Sequence, residues 1–304
     1  MKKKQWSAPV QGAKGFSAWA YLGLAVTMIV WGMVPVFLKK LLDVFSPTEL
    51  SFTRFLMSGV LLLLGVLAKD PRGVVRICLE DSKMLILCTI FGPLTAMTCF
   101  NFAIVHLSIG TASVFAAIEP VFTYVLAVAA GQELWRGRRL ISILVALAGL
   151  AMVTFSREAW SVSYWGSLGL AALSPMIWGV NNIIGKDLLK RHSPEVMIAT
   201  SFVLSSLFLV PTLSDGFVDA LVGLSPGLWL ALVYCVLSTI VGFTIWYWTL
   251  SRLSPSTVAA SLYIIPVFSI VAGILFLDET MSALKAIGVA TVILGLYLVN
   301  VRFR

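Results

Sequence analysis

A single carboxylate stands inside a long apolar run of the chain. Between His106 and Gln132 the only acidic or basic residue is Glu119, in the stretch AAIEPVFTYV. An ionisable group at the centre of a membrane helix costs about 2.5–3.5 kcal/mol, and such groups usually face a cavity or a partner. Glu119 could exchange a proton, contact the amine of a substrate, or stay a neutral, hydrogen-bonded acid that holds two helices together.

Arg54 is the candidate partner of Glu119 although the two residues are expected at different depths. Arg54 lies six residues, about 9 Å at 1.5 Å per residue, into its apolar segment, whereas Glu119 lies eleven residues into its own segment, counted from the same face of the membrane. A long guanidinium could bridge the remaining difference. The alternatives are that Arg54 extends to the outer headgroups or binds the carboxylate of a substrate.

Two prolines in apolar segments are candidates for kinks. A proline inside a helix removes a backbone donor and frees the carbonyl four residues earlier. For Pro120 and Pro266 these carbonyls belong to Ala116 and Leu262. We expect both prolines to shape a cavity or to serve its motion, with a kink used only for packing as the alternative. Pro35 is a third proline at which we predict a kink.

Aromatic and amide side chains in the apolar segments are candidates for the walls of a pocket. Trp31 and Trp178 lie inside their segments rather than at the interfacial belt where tryptophan is enriched, although plain packing would also explain them. Asn181 and Asn182 need hydrogen-bond partners in lipid, and we expect one of them to face a cavity. The remaining candidates are Thr98, Asn101, Trp246, Tyr247 and Tyr263.

The sequence offers no motif for catalysis or for metal binding. It lacks HExxH, GxSxG, paired metal carboxylates and a glycine loop that could cradle phosphate. The four cysteines and two histidines do not have the spacing of metal ligands. We therefore predict no enzyme activity, no metal and no cofactor.

The elements that must hold these residues are helices in a lipid bilayer. Of the 304 residues, 59% are hydrophobic and only 12% are charged, whereas soluble domains carry roughly 25% charge. Apolar stretches of about 20 residues, each able to cross the bilayer as a helix, predict an all-α integral membrane protein with ten transmembrane helices. They lie near residues 18–38, 48–68, 83–104, 108–130, 138–156, 164–184, 195–213, 227–250, 254–277 and 282–301.

The basic residues indicate the orientation of the chain. Most of the 22 lysines and arginines fall in the loops of one side when the N-terminus is placed inside. The positive-inside rule then places both termini in the cytoplasm, and we expect the inner membrane of a bacterium. Because the bases are spread over short connections between apolar segments, they do not indicate a nucleic-acid partner.

The chain contains an internal repeat. Residues 107–153 align without a gap on residues 253–299, and residues 31–47 match residues 178–194. Self-similarity of this kind indicates a repeat architecture. The recurring residues include Trp31/Trp178, Thr111/Thr257, Pro120/Pro266 and Glu133/Glu279. The two glutamates of the last pair recur at the ends of matching helices, which predicts a structural role such as helix capping.

Two five-helix repeats, at residues 1–157 and 158–304, account for this pattern. Because five is odd, the second repeat must enter the membrane from the opposite face, so the repeats are inverted. Inverted repeats are the architecture of many secondary transporters, whose binding sites lie near mid-membrane between the repeats.

The repeat also separates the residues that the fold needs from those that it does not need. Ile265 occupies the place of Glu119, and Ser201 occupies the place of Arg54. Neither charge is therefore a requirement of the fold.

The repeated motifs resemble the EamA-type drug/metabolite transporter superfamily. Each repeat opens with a Trp-Gly helix, carries IEP or IIP in its fourth helix, and has a glutamate just after it. The resemblance implies ten helices around a central cavity built mainly by helices one to four and six to nine. It also implies export of amino acids, their derivatives or other small metabolites, and some members resemble permeases for nucleotide-sugars or sugar-phosphates.

The sequence therefore predicts a secondary transporter that exports a small metabolite by alternating access, with amino acids or their derivatives as the favoured cargo. Proton antiport through Glu119 is the favoured coupling, and facilitated diffusion is the alternative. A channel-like protein and a permease of the nucleotide-sugar or sugar-phosphate type are the alternative functions. The predicted partners are a small-molecule substrate, the lipid bilayer and, under antiport, protons.

Overall fold

A computed structural model describes residues 14–131, 134–135, 137–154, 162–253, 255–259, 261–262 and 265–300. In these ranges every regular element is a helix. The earlier helices are α1 (Lys14–Leu41), α2 (Pro47–Lys69), α3 (Pro71–Glu80), α4 (Ser82–Thr89), α5 (Thr98–His106), α6 (Ile109–Ala116), α7 (Glu119–Ala129) and α8 (Arg138–Thr154). The later helices are α9 (Val162–Leu188), α10 (Pro194–Leu209), α11 (Phe217–Val222), α12 (Pro226–Leu250), α13 (Pro255–Ala259), α14 (Ile265–Leu277) and α15 (Ala283–Asn300).

Among the described residues, seven helical segments are long and apolar enough to cross a membrane. They are Trp19–Leu41, Pro47–Lys69, Ser82–His106, Ile109–Ala129, Val162–Leu188, Pro194–Thr212 and Pro226–Leu250. Shorter apolar helices cover Leu144–Val153, Ile265–Leu277 and Ala283–Gly295. The chain is thus an all-helical membrane protein over the residues described, while the count of ten spanning helices stays a prediction.

Ser-Pro dipeptides start three of the long helices. The hydroxyl oxygens of Ser46, Ser193 and Ser225 accept hydrogen bonds from backbone N–H groups in the first turns of α2, α10 and α12. The proline that follows each serine occupies a helix position where a missing N–H leaves no bond unmade. These caps fix where each helix begins.

Long-range packing joins the two halves of the chain rather than separating them. Helix α1 of the first half packs against α12 and α14 of the second half. Its counterpart in the second half, α9, packs against α5 and α7 of the first half. We call α1, α12 and α14 bundle A, and α9, α5 and α7 bundle B. Two further pairs, α2 with α10 and α8 with α15, each join matching helices of the two halves.

Close approach of α8 to α15 depends on glycine. A Cβ atom added at Gly149 would lie 2.5 Å from the backbone nitrogen of Val292 and 2.6 Å from the carbonyl oxygen of Gly288. Backbone atoms cannot move aside as a flexible side chain can, so these helices need glycine where they cross.

The fourth apolar segment is broken, which differs from the kink expected within one continuous helix. Helix α6 ends at Ala116 and α7 begins at Glu119, so Pro120 lies in the first turn of α7, where its missing N–H is tolerated. Pro266 is the second residue of α14 as the structure describes it, and residues 263–264 lie outside the described residues. Pro35 lies inside the continuous helix α1.

Glu279 has the capping role that its recurrence predicted. Its carboxylate accepts hydrogen bonds from the backbone nitrogens of Ile109 at 2.6 Å and Gly110 at 3.4 Å, at the start of α6. A carboxylate at a helix N-terminus also interacts favourably with the helix dipole. Its predicted counterpart, Glu133, lies outside the described residues.

Candidate functional site

An open cavity lies between bundles A and B. Most of its lining is apolar or aromatic, as is usual for small-molecule sites. Of the residues that the sequence singled out, six line this cavity: Trp31, Pro35, Arg54, Asn101, Glu119 and Trp178. The residues whose carbonyls the two prolines were expected to free, Ala116 and Leu262, line it as well.

Glu119 is bonded to an amide of the other half of the chain. Its side chain is in the first turn of α7, and the residue is only 6% exposed. Oε1 accepts a hydrogen bond of 2.6 Å from Nδ2 of Asn182 in α9, and the same nitrogen lies 3.4 Å from the hydroxyl of Thr123. The acid therefore ties α7 to α9 while it also borders the cavity.

The predicted pairing of Arg54 with Glu119 is wrong. Arg54 extends from α2 towards α12, where Nη2 donates to Oγ1 of Thr239 at 3.0 Å. Glu119 is instead held by α9, so the two charged groups have different partners although both line the cavity. Arg54 is 4% exposed and does not extend to the surface.

Asn181 and Asn182 join bundle B to bundle A through aromatic side chains of α12. Nε1 of Trp246 donates to Oδ1 of Asn182 at 3.3 Å, and the hydroxyl of Tyr247 donates to Oδ1 of Asn181 at 2.5 Å. All four residues are buried. We call them the amide–aromatic layer. Neither amide lines the cavity, but Asn182 is hydrogen-bonded to Glu119, which does line it.

A distortion between α4 and α5 explains the other bond of Asn181. Residues Ile90–Met97 adopt a π-helical turn in which Gly92 has non-helical dihedral angles. In the π register the carbonyl of Cys88 would accept from residue 93, which is proline and has no N–H. Nδ2 of Asn181 donates to this carbonyl instead, at 2.6 Å. Asn181 thus supplies the donor that the carbonyl of Cys88 lacks within its own helix, and this carbonyl supplies an acceptor for the buried amide nitrogen.

Thr98 and Asn101 converge on one hydroxyl. Oγ1 of Thr98 donates to Oγ of Ser51 at 3.1 Å, and Nδ2 of Asn101 donates to the same oxygen at 2.9 Å. Thr98 does not line the cavity, whereas Asn101 does. Tyr263, the remaining candidate, lies outside the described residues.

Aromatic rings form part of the cavity wall. Phe243 lies between the two predicted tryptophans, with ring centroids 4.8 Å from Trp31 and 5.4 Å from Trp178. Nε1 of Trp31 donates to the carbonyl of Ser238 at 3.1 Å. A Cβ atom at Gly242 would lie 2.2 Å from this nitrogen, so glycine is needed for the indole to pack against α12.

Sequence reasoning missed Phe243 and Ser113, which both line the cavity. Phe243 has no distinguishing signal in an apolar helix. Ser113 does have one, because the aligned residue of the second repeat is Ala259. A polar side chain where the other repeat has an apolar one is the same asymmetry that marked Glu119.

The chain matches the model of the EamA-like transporter family twice, at residues 18–155 and 165–301. A protein of Streptantibioticus cattleyicolor, named as a probable terminal-alkyne amino-acid exporter, is 29% identical over 94% of both chains. A protein of Escherichia coli K12, named as a probable amino-acid metabolite efflux pump, is 25% identical over 90% of this chain and 92% of its own length.

Two further comparisons concern the membrane and the fold. A protein of Escherichia coli K12 named as an inner membrane transporter, YhbE, is 25% identical over 80% of this chain and 77% of its own length. A solved crystal structure superposes with a TM-score of 0.66, covers 93% of this chain and 96% of its own, and shares 18% of its sequence. This likeness shows that the fold is one already known from a crystal.

Proposed function

Because the chain belongs to the EamA-like transporter family, we propose that it is a secondary transporter that exports small metabolites, with amino acids or their derivatives as its cargo. The observation that carries the proposal is the cavity between bundles A and B, which is lined by aromatic rings, one acid and one base. The two relatives named for the export of amino acids or their metabolites support this cargo class, since they align with this chain over nearly its whole length.

We propose that the two repeats, at residues 1–157 and 158–304, insert with opposite orientations and that both termini are cytoplasmic. The packing supports an in-plane two-fold relation, since the contacts of α1 with α12 and α14 recur as those of α9 with α5 and α7. The distribution of basic residues supports the orientation. The relative named as an inner membrane transporter supports that location.

Alternating access is supported by positions that match in the two repeats but differ in their environment. Val34, Pro35, Phe100 and Asn101 are among the first-repeat residues that line the cavity. Their counterparts in the second repeat, once the alignment of residues 107–153 with 253–299 is extended back without a gap, are the amide–aromatic layer. Hydrogen bonds between bundles A and B close this layer. With the termini in the cytoplasm, the layer closes the inner side. A rocking of bundle A against bundle B would open it and close the outer side.

We propose that Glu119 couples transport to protons. An ionised carboxylate accepts a hydrogen bond about twice as strong as one accepted by a neutral acid. The bond from Asn182 to Glu119 is therefore strongest when Glu119 is ionised, and protonation weakens it. Because Asn182 also accepts from Trp246, a proton that enters from the cavity would loosen the amide–aromatic layer and favour opening to the inside.

Counterflow with purified protein in proteoliposomes tests the function. We expect saturable exchange of a labelled amino acid or derivative and stimulation by a pH gradient. The Glu119→Gln variant should keep exchange but lose the stimulation, whereas Glu80→Gln, which removes an exposed carboxylate of α3, should keep both. A non-saturating conductance would indicate a channel. Retention of the pH-gradient effect in Glu119→Gln would exclude antiport through this acid and leave facilitated diffusion.

A further inference from the structure

Buried polar atoms without a hydrogen-bond partner are concentrated at the cavity. Among the residues described, five side-chain atoms are buried and unpartnered. Three of them belong to residues that line the cavity: Nε of Arg54, Oδ1 of Asn101 and Oγ of Ser113. Native proteins leave few such groups, and each needs a reason. Their position at one cavity indicates that a bound molecule supplies the missing partners.

The charge of Arg54 is not neutralised by any carboxylate within ion-pair distance in the part of the chain that the structure describes. Its hydrogen-bond partner is Thr239, a neutral hydroxyl that donates its own proton to the carbonyl of Cys235 at 2.6 Å. A guanidinium at this depth in a membrane is costly unless it is paired. An anionic group of the cargo would complete the pairing.

The cavity favours a carboxylate over a phosphate as this anionic group. Arg54 is the only lysine or arginine among the described residues of the lining, and Glu119 is the only acid. A phosphate dianion would meet one positive charge beside one carboxyl group. A carboxylate carries one charge, and its two oxygens fit the parallel N–H groups of a guanidinium edge.

The unpartnered atoms of Asn101 and Ser113 indicate which polar group the cargo carries besides its carboxylate. Nδ2 of Asn101 already donates a hydrogen bond to Ser51. The free amide oxygen, Oδ1, can only accept one. Ser113 can donate or accept through its hydroxyl. A cargo that fills both therefore carries an N–H or O–H group. The acceptor at Asn101 is a neutral amide, so the donor group does not need a positive charge to bind there.

We propose that the cavity recognises carboxylates that bear a neighbouring N–H or O–H donor, with Arg54 binding the carboxylate and with Asn101 and Ser113 receiving the donor group. This inference rests on the proposed transport function and narrows its cargo. It includes α-hydroxy acids and N-acylated amino acids besides free amino acids, and it excludes the matching amines and amides. The rings of Trp31 and Trp178 border the apolar remainder of the molecule.

Binding to the purified full-length protein tests the inference through thermal stabilisation, because a ligand stabilises the state that it binds. The probes are L-phenylalanine, L-leucine and L-methionine, each with its α-hydroxy acid, its primary amide and its decarboxylated amine, and glucose 6-phosphate as the phosphate probe. We expect acids and hydroxy acids to bind about 10- to 100-fold more tightly than amides and amines, as for a lost charge-assisted hydrogen bond.

Variants assign the preference to its residues. Arg54→Gln should abolish the preference for acids, and Arg54→Lys should keep part of it because the charge remains. Ser113→Ala should weaken binding of the acids about 2- to 10-fold, as for one neutral hydrogen bond. Arg72→Gln, which removes an arginine on the exposed side of α3, should change nothing.

The inference is overturned if amides or amines bind as tightly as the acids, if no carboxylate of the panel binds, or if glucose 6-phosphate binds more tightly than every carboxylate. It is also overturned if Arg54→Gln binds the acids with the same preference. Counterflow separates this result from the proposed function. Exchange of compounds without a carboxylate would leave transport standing and refute the carboxylate site. Binding of the acids without exchange would leave the carboxylate site standing and refute the transport function.

Discussion

Replacing Tyr247 with phenylalanine removes a single hydroxyl from the amide–aromatic layer. That hydroxyl donates to Oδ1 of Asn181 at 2.5 Å and joins α12 of bundle A to α9 of bundle B. The ring stays in place, so the packing around it is kept. Asn181 keeps its second bond, to the carbonyl of Cys88. The substitution therefore tests the bond between the bundles without emptying any space.

The size of the effect follows from what happens to Asn181. In the closed layer its Oδ1 would be buried without a donor, which costs about 1–3 kcal/mol. When the layer opens, water can satisfy the same oxygen, so the cost falls on the closed state alone. Tyr247→Phe should then raise the population of the open state roughly 5- to 100-fold, since 1.4 kcal/mol corresponds to a factor of ten.

Cys88 is a native reporter for this opening. It is 1% exposed, and its carbonyl is bonded to Asn181 in the layer. In a protein whose other cysteines are replaced by alanine, a membrane-impermeant maleimide added to inside-out vesicles should label Cys88 slowly. The labelling rate follows the population of the open state when opening is fast and rare. Tyr247→Phe should therefore raise the rate by the factor given above.

Tyr234→Phe is the matched control because it removes the same group from the same helix. The hydroxyl of Tyr234 donates to the carbonyl of Val30 at 2.9 Å, a bond that lies within bundle A. We expect unchanged labelling of Cys88 in this variant. The assignment of the layer as the contact that closes the inner side is refuted if Tyr247→Phe leaves the rate unchanged, or if Tyr234→Phe raises it equally.

Two further predictions concern glycines at helix crossings. Gly149→Ala should lower the free energy of unfolding by about 1–3 kcal/mol, as expected for overpacking against backbone atoms of α15. Gly169→Ala is the control and should not lower it, because the space around its Cβ is open. Denaturation in detergent measures the free energy of unfolding of both variants. Gly242→Ala should displace Trp31 from the cavity wall and weaken binding of the best ligand without preventing folding, and unchanged affinity would contradict the role given to that wall.

Much of the fold follows from the sequence because it depends on one-dimensional patterns. Apolar stretches of membrane length and the internal repeat can both be read from the order of the residues, and the family model matches the chain twice, at residues 18–155 and 165–301. The repeat also indicated where the cavity lies. Glu119 and Arg54 both stand where the other repeat has an uncharged residue, and both line it.

The partners of these residues did not follow from the sequence. Depth along a helix can be counted at 1.5 Å per residue, but the direction of a side chain around the helix axis is set by packing. The contacts of α2 with α10 and α12 turn Arg54 towards Thr239, and those of α7 with α9 bring Glu119 to Asn182. A difference in depth that a guanidinium could bridge was therefore not sufficient to predict an ion pair.

Helix breaks were also beyond what the sequence could specify. A proline in an apolar run is compatible with a kink inside one helix or with the start of a new one. The tertiary contacts decide between the two. At Pro120 the chain turns through Ala117 and Ile118 before α7 begins. At Pro93 the backbone adopts a π-helical turn whose free carbonyl is satisfied by Asn181, which comes from the other half of the chain.

The unequal repeats give the proposed transport cycle its direction. In the proposed orientation the inner side is closed by bonds that need no cargo, since Asn181 and Asn182 are bonded to aromatic partners of α12. The matching outer positions are Val34 and Pro35, whose side chains can make no such bonds. An empty carrier should therefore rest open to the outside. To open inward it must weaken the layer, and under the proposed coupling protonation of Glu119 would do so through Asn182. An exporter driven by inward proton movement needs this sequence of events: a proton taken up outside resets the carrier, and cargo bound inside permits the outer closure to be broken again.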